Sequence, residues 1–192
     1  MHHSLRITPN LLLIYSYDVS QNGLLFEKQT SAFNLQRAIA LYGKDLIQHW
    51  QNRLYPYPEA LAVAMVQKHL KFRPFDGQHI LTKRLEIPML YENNCAITRW
   101  LLNMLFALNR VYHPGFKWTR YFVAEMNIKP PEFFARLERV FQSDAASGTP
   151  ELRRLVEETF DLVEQCLPQV DLKQQRETFN RLYPKWELPV DR

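Results

Sequence analysis

Between Arg99 and Asn109 the chain reads Arg99-Trp100-Leu101-Leu102-Asn103-Met104-Leu105-Phe106-Ala107-Leu108-Asn109, with apolar side chains on nearly every face of a helix. A surface helix needs one polar side, so a helix of this kind has to be surrounded by other elements. Residues 88–112 read as one such helix, about 37 Å long at ~1.5 Å per residue. The expected fold is therefore mainly α, a multi-helix bundle around a long central helix. His113-Pro114-Gly115 is the expected stop, because glycine accepts a left-handed cap and proline cannot extend the hydrogen-bond ladder. The same stretch is the longest apolar one in the chain. Broken by Asn103, it falls well short of the roughly 20 residues that a bilayer span requires, so no membrane span is expected.

The rest of the chain supplies the surrounding elements. Residues 7–17 and 23–28 are rich in β-capable types and are joined through Asn22-Gly23, which predicts a small N-terminal β-hairpin. Residues 1–32 are read as this short β segment and residues 33–192 as the helical bundle. After Thr30-Ser31, which can cap a helix, Leu35, Ile39, Tyr42, Leu46 and Trp50 recur at the spacing of one helical face, with Gly43 weakening the middle. Tyr55-Pro56-Tyr57-Pro58 ends that helix, because the residue before a proline is pushed out of the α region. Pro58 then opens a helix with Leu61, Ala64, Met65 and Leu70 inward. Residues 78–86 and 117–126 read as short helices, and Pro130-Pro131 opens one carrying Phe133, Phe134, Leu137, Val140 and Phe141. Residues 143–150 look like a linker, after which Thr149 caps a helix with Leu152, Leu155, Val156, Phe160, Val163 and Leu167 inward. Residues 172–183 add a last helix, giving about seven.

Composition excludes several classes. With 46% hydrophobic residues, 12 Pro and 5 Gly in 192 residues, disordered, collagenous and low-complexity readings fail. The net charge of +4 supports weak polyanion affinity at most. Its distribution is uneven, since residues 144–171 carry seven acids against two bases, minus five in balance, while Lys68, Lys71, Arg73, Lys83 and Arg84 face only Asp76 in their stretch. Residues 11–15 are too short for an export signal, so a cytoplasmic protein is expected. Cys95 and Cys166 are single and far apart, and read as reduced core thiols.

No phosphate-binding glycine loop, His-Glu-x-x-His or Gly-x-Ser-x-Gly is present. Two-metal phosphoryl transfer needs carboxylates that leave the same face, and no two acids lie two residues apart. Glu157, Glu158, Asp161 and Glu164 share a helical face but have no histidine among them, so a solvated ridge is favoured over a metal site. His69, beside Lys68 and Lys71, is expected to resist protonation. No metal and no cofactor are expected.

The densest polar cluster is residues 109–120, where a buried helix ends and two arginines, a lysine, a histidine and three aromatics follow at once. Asn109, Arg110, His113, Lys117, Trp118 and Arg120 are the candidate ligand-binding residues. Arg110 and Lys117 would flank the turn and hold a nucleotide or phosphate, and Tyr112 or Trp118 would stack on a base or sugar. The alternative is that Phe116 and Trp118 staple two helices together while the cations are solvated.

The run from Leu105 to Trp118, preceded by Leu41-Tyr42 and by Trp50-Gln51-Asn52-Arg53-Leu54-Tyr55-Pro56-Tyr57-Pro58-Glu59, resembles the helical C-terminal domain of bacterial nucleotidyltransferases in the kanamycin-nucleotidyltransferase-like group, a domain of unknown function. In that group a mixed α/β domain supplies a Gly-Ser turn and paired metal-binding acids. Here the five glycines are followed by Leu, Lys, Gln, Phe and Thr, so both features are missing, and residues 7–28 look like a remnant of the lost domain. The resemblance implies a non-catalytic helical binding or interaction module. Its expected partner is a separately encoded nucleotidyltransferase domain or a second copy, with the substrate side of the cleft at Asn109, Arg110, Lys117 and Trp118. The alternative is a small nucleotide or nucleic-acid binding protein using residues 109–120.

Overall fold

The computed structural model describes residues 26–184. Among them are nine α-helices and no strand: α1 (Phe26–Gln36), α2 (Lys44–Arg53), α3 (Glu59–His69), α4 (Asp76–Lys83), α5 (Ile87–Leu108), α6 (Thr119–Ala124), α7 (Phe133–Gln142), α8 (Ala145–Cys166) and α9 (Lys173–Asn180). A 3-10 turn, Phe116–Trp118, precedes α6. No helix of the described residues is long and apolar enough to cross a membrane.

The eight residues from Leu101 to Leu108 are all buried. They are enclosed because α5 packs against α3, α4, α6 and α8. Each large side chain taken out of water there contributes ~1.5–3 kcal/mol. Asn103 is tolerated among them because its side-chain amide donates to the Arg99 carbonyl at 2.8 Å, which leaves that donor satisfied. A second aromatic layer, Phe72, Phe160 and Phe179, meets edge to face with ring centroids 5.1–6.0 Å apart.

Several expectations are corrected. Most of the hairpin lies outside the described residues, but Phe26, Glu27 and Lys28 open α1 and are helical rather than strand. The boundary expected after residue 32 falls inside α1, where Ala32 and Phe33 both join the core. The single helix expected through Leu35, Ile39, Tyr42, Leu46 and Trp50 is two helices. Ile39, Tyr42 and Leu46 are 88%, 93% and 53% exposed rather than inward. Polar side chains of the neighbouring helix and turn decide this: Gln51 donates to the Leu35 and Ala38 carbonyls at 3.1 and 2.9 Å, and Gln36 donates to the Leu54 carbonyl at 3.0 Å. The two Gln51 bonds take up the Leu35 and Ala38 carbonyls, which a continuing helix would have used for itself.

Residues 143–150 are not a linker either. Asp144, not Thr149, caps α8, accepting from the backbone of Ala146 and Ser147 at 2.9 and 3.1 Å, while Gly148 and Thr149 are buried in the helix. The reason is a close crossing. A methyl group on Gly148 would stand 2.6 Å from the Val140 carbonyl oxygen of α7. Arg136 of α7 adds a two-sided grip, with Nε on Glu151 at 2.5 Å and both terminal nitrogens on Glu158 at 2.6 Å. Glu157 likewise pairs with Arg153, and Asp161 and Glu164 pair with Arg176. The acidic face of α8 is the expected solvated ridge, with Asp161 and Glu164 exposed, and its carboxylates are ion-paired as well. Cys95 is exposed and not a core thiol, whereas Cys166 is half-buried and packs against the core.

Gly148→Ala tests the crossing. On an exposed helix this change gains up to about 1 kcal/mol. Here the added carbon meets backbone that cannot rotate away, and a loss of ~1–3 kcal/mol is expected in urea denaturation. An unchanged or raised midpoint would mean that α7 and α8 do not approach this closely.

Candidate functional site

The cluster of residues 109–120 begins where α5 stops, and the stop is not the expected glycine. Arg110 takes the left-handed conformation, with φ 55°. Its N–H donates to the Ala107 carbonyl and the Val111 N–H to the Phe106 carbonyl, at 3.1 and 3.0 Å. This pair of bonds is the Schellman closure, usually built on glycine. The helix therefore ends at Leu108 rather than Tyr112. A side chain in the left-handed region costs roughly 1–2 kcal/mol, and the guanidinium offsets it. Nη1 donates to the Ala107 and Leu108 carbonyls at 2.9 and 3.1 Å, while Nε and Nη2 both donate to Glu59 Oε2 at 2.9 and 2.5 Å. Gln169 donates to the other oxygen of Glu59 at 3.0 Å. Every nitrogen of the Arg110 guanidinium is engaged within the protein, so Arg110 is a helix cap and not a waiting anion contact.

Asn109 is engaged as well. Its amide donates to the Leu105 and Ile128 carbonyls at 2.8 and 2.7 Å, and its oxygen accepts from the Ile128 N–H at 3.0 Å. It fastens the segment after α6 to the end of α5. His113 is 1% exposed, set against Phe106 and Phe116 with ring centroids at 4.7 and 5.5 Å. Its Nδ1 accepts from the Gly115 N–H at 3.0 Å, which fixes the turn leading into Phe116–Trp118. Arg120 pairs with Glu138 of α7 and lies 5.9 Å from the Phe134 ring centre. Of the six candidates, Lys117 and Trp118 face solvent without an ion pair or hydrogen bond of this kind, and Trp118 is 59% exposed. That exposure also corrects the alternative: Trp118 does not staple two helices.

Three neighbours complete the cluster, of which Tyr121 and Arg37 carried no expectation and Phe116 was expected to staple two helices. Phe116 and Tyr121 are 56% and 58% exposed, so with Trp118 they form an exposed aromatic group within six residues. Arg37, just past α1, stacks over the Phe33 ring at 4.0 Å and the Phe122 ring at 5.1 Å. Phe122 in turn meets Phe33 and Tyr121 edge to face at 4.8 and 5.1 Å. Only the aromatic spacing of residues 116–122 signalled this in the sequence; the partnership with Arg37 joins segments about 80 residues apart.

The catalogued family that matches residues 24–119 is described as a domain of unknown function (DUF4037). The chain belongs to this family. The match runs from just before α1 through the Arg110 cap and the His113 turn, and stops at the first residue of α6. No curated protein and no solved structure matches the chain. Among the described residues no group of histidine, cysteine or carboxylate side chains is arranged to hold a metal ion.

The buried imidazole of His113 and the half-buried one of His69 make stability depend on pH. Burial pushes His113 down to about 4. Burial first, then Lys68, Lys71 and His113, push His69 to about 4 as well. In the unfolded chain both titrate near ~6.5, so between these values the unfolded chain binds more protons than the folded one. Stability should be full above about pH 6.5 and decline as the pH falls toward 4. His113→Asn retains an acceptor for the Gly115 N–H but cannot titrate, and should remove roughly half of the histidine share of that decline, read as urea midpoints across this range. A decline identical to the unaltered protein would show that His113 is not held neutral. The cap is tested separately: Arg110→Ala should cost ~1–2 kcal/mol, and Arg110→Gly less, because glycine restores the left-handed residue while still losing Glu59. Equal losses would assign the whole effect to the ion pair.

Proposed function

We propose that this chain is a non-catalytic helical module that works by binding another protein, related to the substrate-side helical domain of nucleotidyltransferases. One observation carries the reading. Around the cluster that resembles that domain, the arginines are matched by the protein's own carboxylates, Arg110 by Glu59 and Arg120 by Glu138, whereas large apolar side chains stand in water. Ile39, Leu41 and Tyr42, between α1 and α2, are 88%, 83% and 93% exposed. Neutralised cations are poor phosphate ligands, and exposed contiguous apolar surface marks interaction sites. The partner is a separately encoded nucleotidyltransferase domain or a second copy of this chain. The absence of a Gly-Ser turn and of paired acids supports the non-catalytic half of the reading.

A second reading, a small nucleotide or nucleic-acid binder, is favoured by Lys117, an exposed ammonium between Phe116 and Trp118. Salt separates the two, since polyanion affinity falls steeply with ionic strength and apolar association does not. Purified protein is expected to show no metal-dependent transfer from radiolabelled ATP, and no salt-sensitive binding of ATP or of a labelled single-stranded RNA. Transfer would overturn the non-catalytic assignment. RNA or ATP binding that weakens sharply with added salt would move the function to the second reading.

A further inference from the structure

We infer that Ile39, Leu41 and Tyr42 form, together with Phe116, Trp118 and Tyr121, one interaction surface whose occupant is a second copy of this chain. The inference rests on the protein-binding reading above and names its interface. The two exposed segments are distant in sequence, but they leave the protein at neighbouring points, because Arg37, two residues before Ile39, lies over the ring of Phe122, the residue after Tyr121. Arg37 lies at the start of the first and stacks over Phe33 and Phe122, and Phe122 carries Tyr121 on its edge. Polar bonds hold the first segment at its base, where Gln51 takes the Ala38 and Leu35 carbonyls. The Gly115–His113 bond holds the second. Both are therefore preorganised, which lowers the ordering cost of association.

Area and charge point to self-association. The six side chains are 56–93% exposed. With aromatic side chains offering ~150–250 Å² each when fully covered, they present on the order of 800 Å² of apolar surface, which is the area one partner contributes to a standard interface. A surface that meets its own copy across a two-fold axis must not oppose like charges. Here Arg120 is matched by Glu138 and Arg37 lies in the field of Glu125. The exposed Lys117 remains as a cation that its flexible stem can carry to a solvated rim. A strongly charged partner, such as a nucleic acid, would find little to bind on this balanced face.

The experiment is sedimentation equilibrium on the full chain from about 1 to about 100 μM, at low and high salt, with each variant's melting temperature as a folding control. A dimer that persists at high salt is expected. Tyr42→Ser and Trp118→Ser should each raise the dissociation constant at least about tenfold without lowering the melting temperature measured where the unaltered protein is itself monomeric, since both side chains are exposed in the monomer. Leu182→Ser, at an apolar residue 74% exposed outside the surface, should leave it unchanged. A monomer at every concentration overturns the inference, as does a dimer indifferent to Tyr42→Ser and Trp118→Ser. So does a monomer that instead retains a nucleotidyltransferase domain through this surface, because the occupant is then another protein. None of these three results touches the protein-binding reading, which falls only to nucleotide transfer or to salt-sensitive nucleotide or RNA binding.

Discussion

Eight consecutive residues, Leu101 to Leu108, lie in the protein interior, and this requirement shapes everything around them. A helix turns through all directions in 3.6 residues, so a run of eight must be covered on every side. No single neighbour can do that. The cover comes from α3, α4, α6 and α8, and the close crossing of α7 on α8 at Gly148 backs that layer with a second. The ion pairs on the outer face of α8 follow from the same arrangement. Once α7 and α9 pack beside α8, Arg136 and Arg176 reach its carboxylates, and bidentate pairs of this kind fix orientation more than they add stability.

The end of that helix links core to surface. Because α5 must stop before it leaves the protein, its last carbonyls need donors, and the chain meets the need with the Arg110 backbone and guanidinium together. The same residues then fasten the outer segments: Asn109 holds Ile128, and Arg110 holds Glu59 at the start of α3. Polar groups that looked like ligand contacts are spent on closing a helix. What the closure leaves outside is aromatic. The turn held by His113 carries Phe116, Trp118 and Tyr121 into solvent, next to the loop that follows α1.

Much of this was legible in the sequence, and the parts that were not have physical causes. The all-round apolar run required a buried helix and hence a helical domain. Periodicity found the inward faces of α7 and α8, where Phe133, Leu137, Val140, Leu152, Leu155, Val156, Phe160 and Val163 are buried. It failed between Leu35 and Trp50, because a helical spacing of apolar residues can be interrupted where a distant side chain takes the backbone carbonyls, here the Gln51 amide on Leu35 and Ala38. The stops of α4 and α5 were hidden for a related reason. Leu85 and Arg110 occupy left-handed positions that sequence rules reserve for glycine, and at Arg110 the Glu59 carboxylate of another helix helps to offset the strain. A linker was read at residues 143–150 from Ser, Ala and Gly. Gly148 stands there because two helix backbones nearly touch.

The candidate site divides along the same line. The sequence by itself determined that cations and aromatics crowd into residues 109–120, that no two acids lie two residues apart, and that the chain is built from helices around one apolar run. Those are properties of residue type and local spacing. Only the tertiary structure decided which cations remain available, since Arg110 and Arg120 meet Glu59 and Glu138 from other helices. It also decided which apolar residues remain outside, since Ile39 and Tyr42 carry an inward spacing and stand in solvent. Charge pairing and exposure depend on neighbours distant along the chain, and a pattern of local periods holds no record of them.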